Sequence, residues 1–306
     1  MFTTVLSNVG IILLYMLLGF LVAKGGKVNP AHAKSLSGIL LFVLCPCMIL
    51  NSFIQMEYTH ESMIKLGIFA AVTFVIQIAF MFVLYIFLKR RYTDAKYRIL
   101  TVGSVLGNVG FFGMPVLSGI FPNDPIVICY SSINVVTMNL IVFTMGVFLI
   151  TNNRKFISIK SAILNPTTLA VLASLPLFIF RVDFPDIVDS SISLLGRMVT
   201  PMCMIILGIR LSTVRFRDLF SRPFVYITCL LKLVIFPLFA FACVRWLPFM
   251  DEIAKGAVFV LAATPSGAVI ESLAELHECE QELSANVVLL TTLLCLFTMP
   301  VVLLLL

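Results

Sequence analysis

Gly107-Asn108-Val109-Gly110-Phe111-Phe112-Gly113-Met114-Pro115 interrupts an apolar run that extends from about Tyr97 to Phe121. Three glycines, an asparagine and a proline in nine residues do not hold a regular helix. Pro115 lacks a backbone N–H and its ring clashes with the preceding turn. Each glycine raises the cost of the helical state. Backbone groups freed by the break find no water in lipid. Broken backbone at membrane depth is therefore tolerated only where it is buried in protein or lines a cavity, and in transporters such interrupted helices build the substrate site. A simple kink in an ordinary membrane helix is the plainer reading. A second interruption late in the chain, Thr264-Pro265-Ser266-Gly267, argues against it.

The chain has 306 residues, 60% of them hydrophobic and 12% charged, with a mean hydropathy of +1.10. A soluble domain carries roughly 25% charged residues, so this is an integral membrane protein and the lipid bilayer is its first partner. The formal charge of +6 sits in short loops and implies no nucleic acid. No hydrophilic stretch is large enough for a separate enzyme or receptor domain. The eight cysteines fall mostly in apolar runs with no metal-type CxxC pair, and His32, His60 and His277 are scattered in loops; neither metal nor cofactor is expected. The first apolar run starts almost at Met1 without a basic leader, as a first membrane helix does and a cleaved signal does not.

A crossing helix needs about 20 apolar residues. Ten segments qualify, at roughly 4–23, 35–55, 63–88, 97–121, 125–150, 161–181, 188–209, 223–246, 253–276 and 282–305. Basic residues mark the cytoplasmic loops. Lys24, Lys27 and Lys34 follow helix 1, and Lys89, Arg90, Arg91, Lys96 and Arg98 follow helix 3. Arg154, Lys155 and Lys160 follow helix 5, and Arg210, Arg215, Arg217 and Arg222 follow helix 7. That places 15 of the 21 basic residues on one side, against Lys65, Arg181, Arg245 and Lys255 on the other. Both termini then face outside the cytoplasmic membrane. The acidic loop after helix 9 (Glu275, Glu278, Glu280, Glu282) weighs little in this rule.

Ten helices divide into five and five, and an odd number per half inverts the second half. Residues 1–151 and 161–306 are thus expected to be inverted repeats. The interrupted helix is the fourth of each half, and each second helix carries a proline, in Cys45-Pro46-Cys47 and Thr200-Pro201-Met202. Pro237 and Pro300 have no counterpart in the first half.

Several motifs together resemble the auxin efflux carrier family, whose bacterial members include malate and malonate carriers. They are Leu18-Gly19-Phe20-Leu21 before Lys24-Gly25-Gly26, Asn108 through Pro115, and Asn165-Pro166-Thr167. Later come Thr264-Pro265-Ser266-Gly267, Leu273-Ala274-Glu275 and Leu290-Thr291-Thr292-Leu293 through Met299-Pro300. The resemblance covers nearly the whole chain. It implies ten transmembrane helices in two inverted five-helix repeats, as in the fold-related bile acid symporters and NhaA. Helices 1, 2, 6 and 7 would form a scaffold, and helices 3–5 and 8–10 a transport domain. Helices 4 and 9 would cross near Pro115 and Pro265. The resemblance further implies elevator-like motion and a homodimer through the scaffold. Only about ten residues join helices 5 and 6 here, whereas the plant members carry a long loop, so auxin is not supported as substrate.

At a break, the second half-helix offers free N–H groups and a positive dipole end, which suit a carboxylate. The first half-helix ends in carbonyls, which suit a cation or a donor. Asn108, Gly110, Gly113 and Pro115 at the first break, and Thr264, Pro265, Ser266 and Gly267 at the second, are the candidate substrate-binding residues. Asn108, Thr264 and Ser266 could instead only cap their own helices. Ionisable residues inside membrane spans are functional candidates by default. Lys232 is ten positions past Arg222, so ~15 Å deep at ~1.5 Å per residue. Arg197 enters helix 7 from the outer end and joins the substrate candidates. Glu271 follows Pro265 by six residues and could pair with Lys232 or couple transport to protons.

These residues point to a secondary transporter of a small organic anion. A sodium-coupled symporter is the alternative within transport. A membrane enzyme would need a nucleophile–base pair or paired acids, and a sensor an output domain; no such motif occurs, so no catalytic residue is assigned.

Overall fold

The computed structural model describes residues 2–213 and 223–305; Arg215, Arg217 and Arg222 lie outside the described residues. Among the described residues the chain is helical throughout, apart from one isolated antiparallel bridge between Gly107 and Ser266. In chain order the helices are α1 (Phe2–Lys24), α2 (Pro30–Gln55), α3 (His60–Arg91) and α4, split into α4a (Ala95–Val105) and α4b (Val109–Ile120). Next come α5 (Ile126–Thr151), α6 (Arg154–Ile179), α7 (Asp186–Leu211) and α8 (Pro223–Arg245). Last come α9, split into α9a (Glu252–Ala262) and α9b (Ala268–Leu276), and α10 (Gln281–Leu305). Among the described residues seven helices, α2, α3, α5, α6, α7, α8 and α10, are each long and apolar enough to cross a membrane. Shorter apolar helices run over Leu13–Lys24 and Val109–Ile120.

Local chemistry accounts for the starts. Side chains of Thr59, Asp94, Asn165 and Asp251 accept hydrogen bonds from Ser62, Lys96, Thr167 and Ala254 N–H groups, satisfying donors that a helix start leaves open. Pro46, Pro115 and Pro237 share another device. Each follows a widened π-type turn, over Leu40–Leu44, Val109–Gly113 and Leu231–Ile235. Each then sits in the first turn of the next α-helical stretch, where a missing N–H costs little.

That device corrects the expected position of the first break. The chain does not break at Pro115, which lies buried inside α4b. It breaks at Leu106–Asn108, where Leu106 is extended (φ −75°, ψ 113°). Gly107 lies in the break itself, whereas the widened turn Val109–Gly113 absorbs Pro115. The second break falls at Pro265 as expected, between Ala262 and Ala268.

Packing divides the helices. α1 lies chiefly on α7, and α2 on α6 and the first half of α7. α3 packs on α5, α8 on α9a, and α10 on α8 and α9b. The α1–α7 contact is backbone on backbone. A Cβ on Gly208 would meet the Met16 carbonyl oxygen and lie 2.8 Å from Phe20 N, and one on Gly19 would lie 2.8 Å from the Ile205 carbonyl carbon. Small residues that let helices touch are what binds helices in lipid, where hydrophobic attraction between them is absent.

Candidate functional site

The two breaks cross each other. Asn108 N–H donates to the Pro265 carbonyl at 2.7 Å, and Gly267 N–H donates to the Leu106 carbonyl at 2.9 Å. Each extended segment thus satisfies the other, which is how irregular backbone survives at membrane depth. Ser266 reinforces the crossing: its hydroxyl donates to Gly103 O at 2.7 Å, and its N–H donates to Thr291 Oγ1 at 3.1 Å. Thr264 Oγ1 donates back to Leu261 O at 2.7 Å.

Thr264 and Ser266 are both fully buried. Their hydroxyls donate to Leu261 O and Gly103 O and help hold the break. Gly113, Pro115, Pro265 and Gly267 are buried, and none of them, nor the half-buried Gly110, lines the cavity below. They make the close approach rather than the ligand surface.

Asn108 behaves differently. Successive side chains on extended backbone point to opposite faces. A Cβ on Gly107 would point at Thr264 Oγ1 and Lys232 Nζ, whereas Asn108 lines a cavity of about 410 Å³ on the other face. Asn108 is 7% exposed. Its amide caps no helix and has no hydrogen-bond partner among the described residues. The same cavity is lined by Ala268 at the start of α9b, by Arg210, Lys34 and Glu271, and by Thr292 of α10. The first N–H groups of α9b have no partner within their helix. The arrangement therefore combines an unfilled amide, a positive helix end and a guanidinium, with a carboxylate opposite.

Glu271 is half-buried, and Arg210 and Glu275 are the charges that act on it. Arg210 also donates from Nη2 to Ser37 Oγ at 3.2 Å. An apolar run ending at residue 209 makes Arg210 a loop cation. Its flanks, Ile209 and Leu211, were the available signal: helix α7 continues through it.

Lys232 and Glu271 do not pair. Lys232 is fully buried and its Nζ donates to Ala262 O at 3.1 Å and Val105 O at 3.3 Å, and it lies 4.6 Å from the Phe236 ring centroid. Similar depth brought the two together on paper. In the fold, Lys232 meets the carbonyl end of α9a while Glu271 runs away from it along α9b.

Arg197 lies apart from the crossing: it is exposed and lines a second cavity of about 430 Å³ with Asn51, Gln55, Asp124 and Thr200. No residue of either break lines that cavity. One further polar contact was not foreseen: Gln77 Nε2 donates to Asn134 Oδ1 at 3.0 Å, joining α3 to α5 beside the crossing.

Three similarities accompany this geometry. A family described as membrane transport protein matches residues 4–303. An uncharacterized transporter of Methanocaldococcus jannaschii is 24% identical over 291 residues, covering 92% of each chain. An uncharacterized transporter of Methanothermobacter thermautotrophicus is 27% identical over 305 residues, covering 97% of this chain and 95% of the relative.

Proposed function

The chain belongs to the membrane transport protein family, the one its motifs resemble, and from that premise we propose that it is a secondary active transporter of a small organic anion. The observation that carries the anion reading is the unpartnered Asn108 amide at the head of a cavity shared with Arg210 and the start of α9b. The amide faces the cavity with its hydrogen-bonding groups unused by the protein. A carboxylate would accept from that amide and from the α9b N–H groups while facing the guanidinium. About 410 Å³ is within the usual size of small-molecule sites. Glu271 shares the cavity with Arg210, and in this proposal it competes with the substrate carboxylate for the guanidinium.

The ten-helix, inverted-repeat reading is supported by mirrored packing. α1 on α7 corresponds to α6 on α2, and α3 on α5 to α8 on α10. In this proposal α1, α2, α6 and α7 stay fixed as a scaffold. The crossed helices then move with α3, α5, α8 and α10 as one body, carrying the site across the membrane. The mouth of the Asn108 cavity holds Lys34 and Thr213, on the basic and therefore cytoplasmic side. In this proposal the Arg197 cavity opens on the opposite side of the membrane. The described state faces inward.

Counterflow of a radiolabelled carboxylate in proteoliposomes tests the proposal. A hydrogen bond to a charged group is worth about 1.5–3 kcal/mol. Asn108→Ala should therefore raise the half-saturating substrate concentration roughly tenfold or more, with monodisperse protein and unchanged thermal stability. Unaltered half-saturation in that variant would remove Asn108 from the site.

A further inference from the structure

We propose that Lys232 is a tethered cation that fills the place where the two half-helix C-termini converge, so that the crossing takes no Na⁺ from solution. Val105 and Ala262 are the last residues of α4a and α9a, and their carbonyls are among those a helix end leaves unpaired. Each helix C-terminus carries about half a negative charge. Two of them at one point amount to roughly one negative charge, which one ammonium balances. Lys232 meets both carbonyls, at 3.3 and 3.1 Å. Its remaining face lies over the Phe236 ring at 4.6 Å, and ring faces attract cations.

No carboxylate competes for the ammonium. Among the described residues Lys232 has no ion pair, and the ionisable side chain acting on it is Cys295, whose thiol donates to Ala263 O at 3.4 Å. The seat is built for one group. Lys232 is fully buried and stands in the widened turn Leu231–Ile235, which turns its stem toward the crossing. Beside it a cavity of about 20 Å³, lined by Gln77, Asn134, Val105, Gly107 and Ala262, has room for about one water. An ion bound from solution would need the carbonyls that Lys232 already occupies. A solute cation can couple to an alternating-access cycle only if it binds one state better than the other. A lysine that travels with the crossing offers it no place there in either state.

The test is thermal stability of the purified protein in NaCl and in choline chloride at equal ionic strength. The wild type should melt at the same temperature in both. Lys232→Ala, which vacates the seat, should melt lower than wild type in choline. It should gain roughly 2 °C in NaCl once Na⁺ exceeds its Kd tenfold. Lys232→Met, which fills the volume without charge, should melt lower in both salts. A Na⁺-specific rise in the wild type would overturn the proposal. So would a Lys232→Met as stable as wild type, or a folded Lys232→Ala indifferent to Na⁺. If Lys232→Ala does not fold, the wild-type and Lys232→Met measurements decide. None of these readouts involves an anion, so their outcome is separable from that of the substrate proposal.

Discussion

Gly107→Val should abolish transport and leave little folded protein, as judged by size-exclusion yield and melting temperature. The first atom of any side chain at this position would collide with Thr264 Oγ1 and lie 3.0 Å from Lys232 Nζ. Neither neighbour can retreat. Thr264 is held by Leu261 O at 2.7 Å, and Lys232 by two carbonyls at 3.1 and 3.3 Å, and both are fully buried. The crossing must open instead, losing the Asn108–Pro265 and Gly267–Leu106 backbone bonds. Each buried backbone group left unsatisfied costs about 1–3 kcal/mol, and lipid supplies no substitute. Four such groups at once amount to most of the stability a typical fold possesses. Gly67→Ala is the control. A Cβ there meets nothing within 4 Å, and removing a helix-interior glycine should stabilise by about 0.5–1 kcal/mol.

Arg210→Gln should lower carboxylate affinity roughly 30-fold or more, because truncating one partner of a desolvated charge pair costs about 2–5 kcal/mol. Arg210→Lys should restore only part of the loss, since an ammonium lacks the planar fork that matches a carboxylate. Glu271→Gln should shift affinity the other way, by removing the carboxylate that competes for the guanidinium. Isothermal titration of the three variants against wild type reads these changes directly. Arg210 also bonds Ser37 at 3.2 Å, so a purely structural role would lower melting temperature in Arg210→Gln while Glu271→Gln left affinity untouched.

Clusters of glycine, proline and asparagine in otherwise apolar runs point to two broken helices, because backbone freed at membrane depth needs a partner in the protein. The rule that intramembrane charges are functional found Lys232 for the same reason. What stayed illegible was direction. Depth along a helix can be counted from its end, but which neighbour a side chain meets depends on rotation about the axis and on crossing geometry. Lys232 and Glu271 therefore shared a depth on paper and part company in the fold. Thr264 and Ser266 looked like ligand groups because hydroxyls at a break can serve either role, and in the fold they donate to Leu261 O and Gly103 O. Arg210 was hidden by segmentation: a hydropathy window ends a helix at its first charge, whereas α7 carries that charge inward on its last turn. Arg197 stands in the first half of α7, which borders a cavity of its own.

The central claim is that an anion is held under the crossing by Asn108, Arg210 and the start of α9b. Thermal-shift titration of the purified wild type with mono- and dicarboxylates, each paired with its uncharged amide, tests it most directly. Saturable stabilisation by at least one carboxylate is expected, with none from its amide. At 100 times Kd the stabilisation amounts to about 2.7 kcal/mol, or roughly 4 °C for a chain of this size. Equal stabilisation by an amide and its carboxylate, or stabilisation by amines alone, would contradict it.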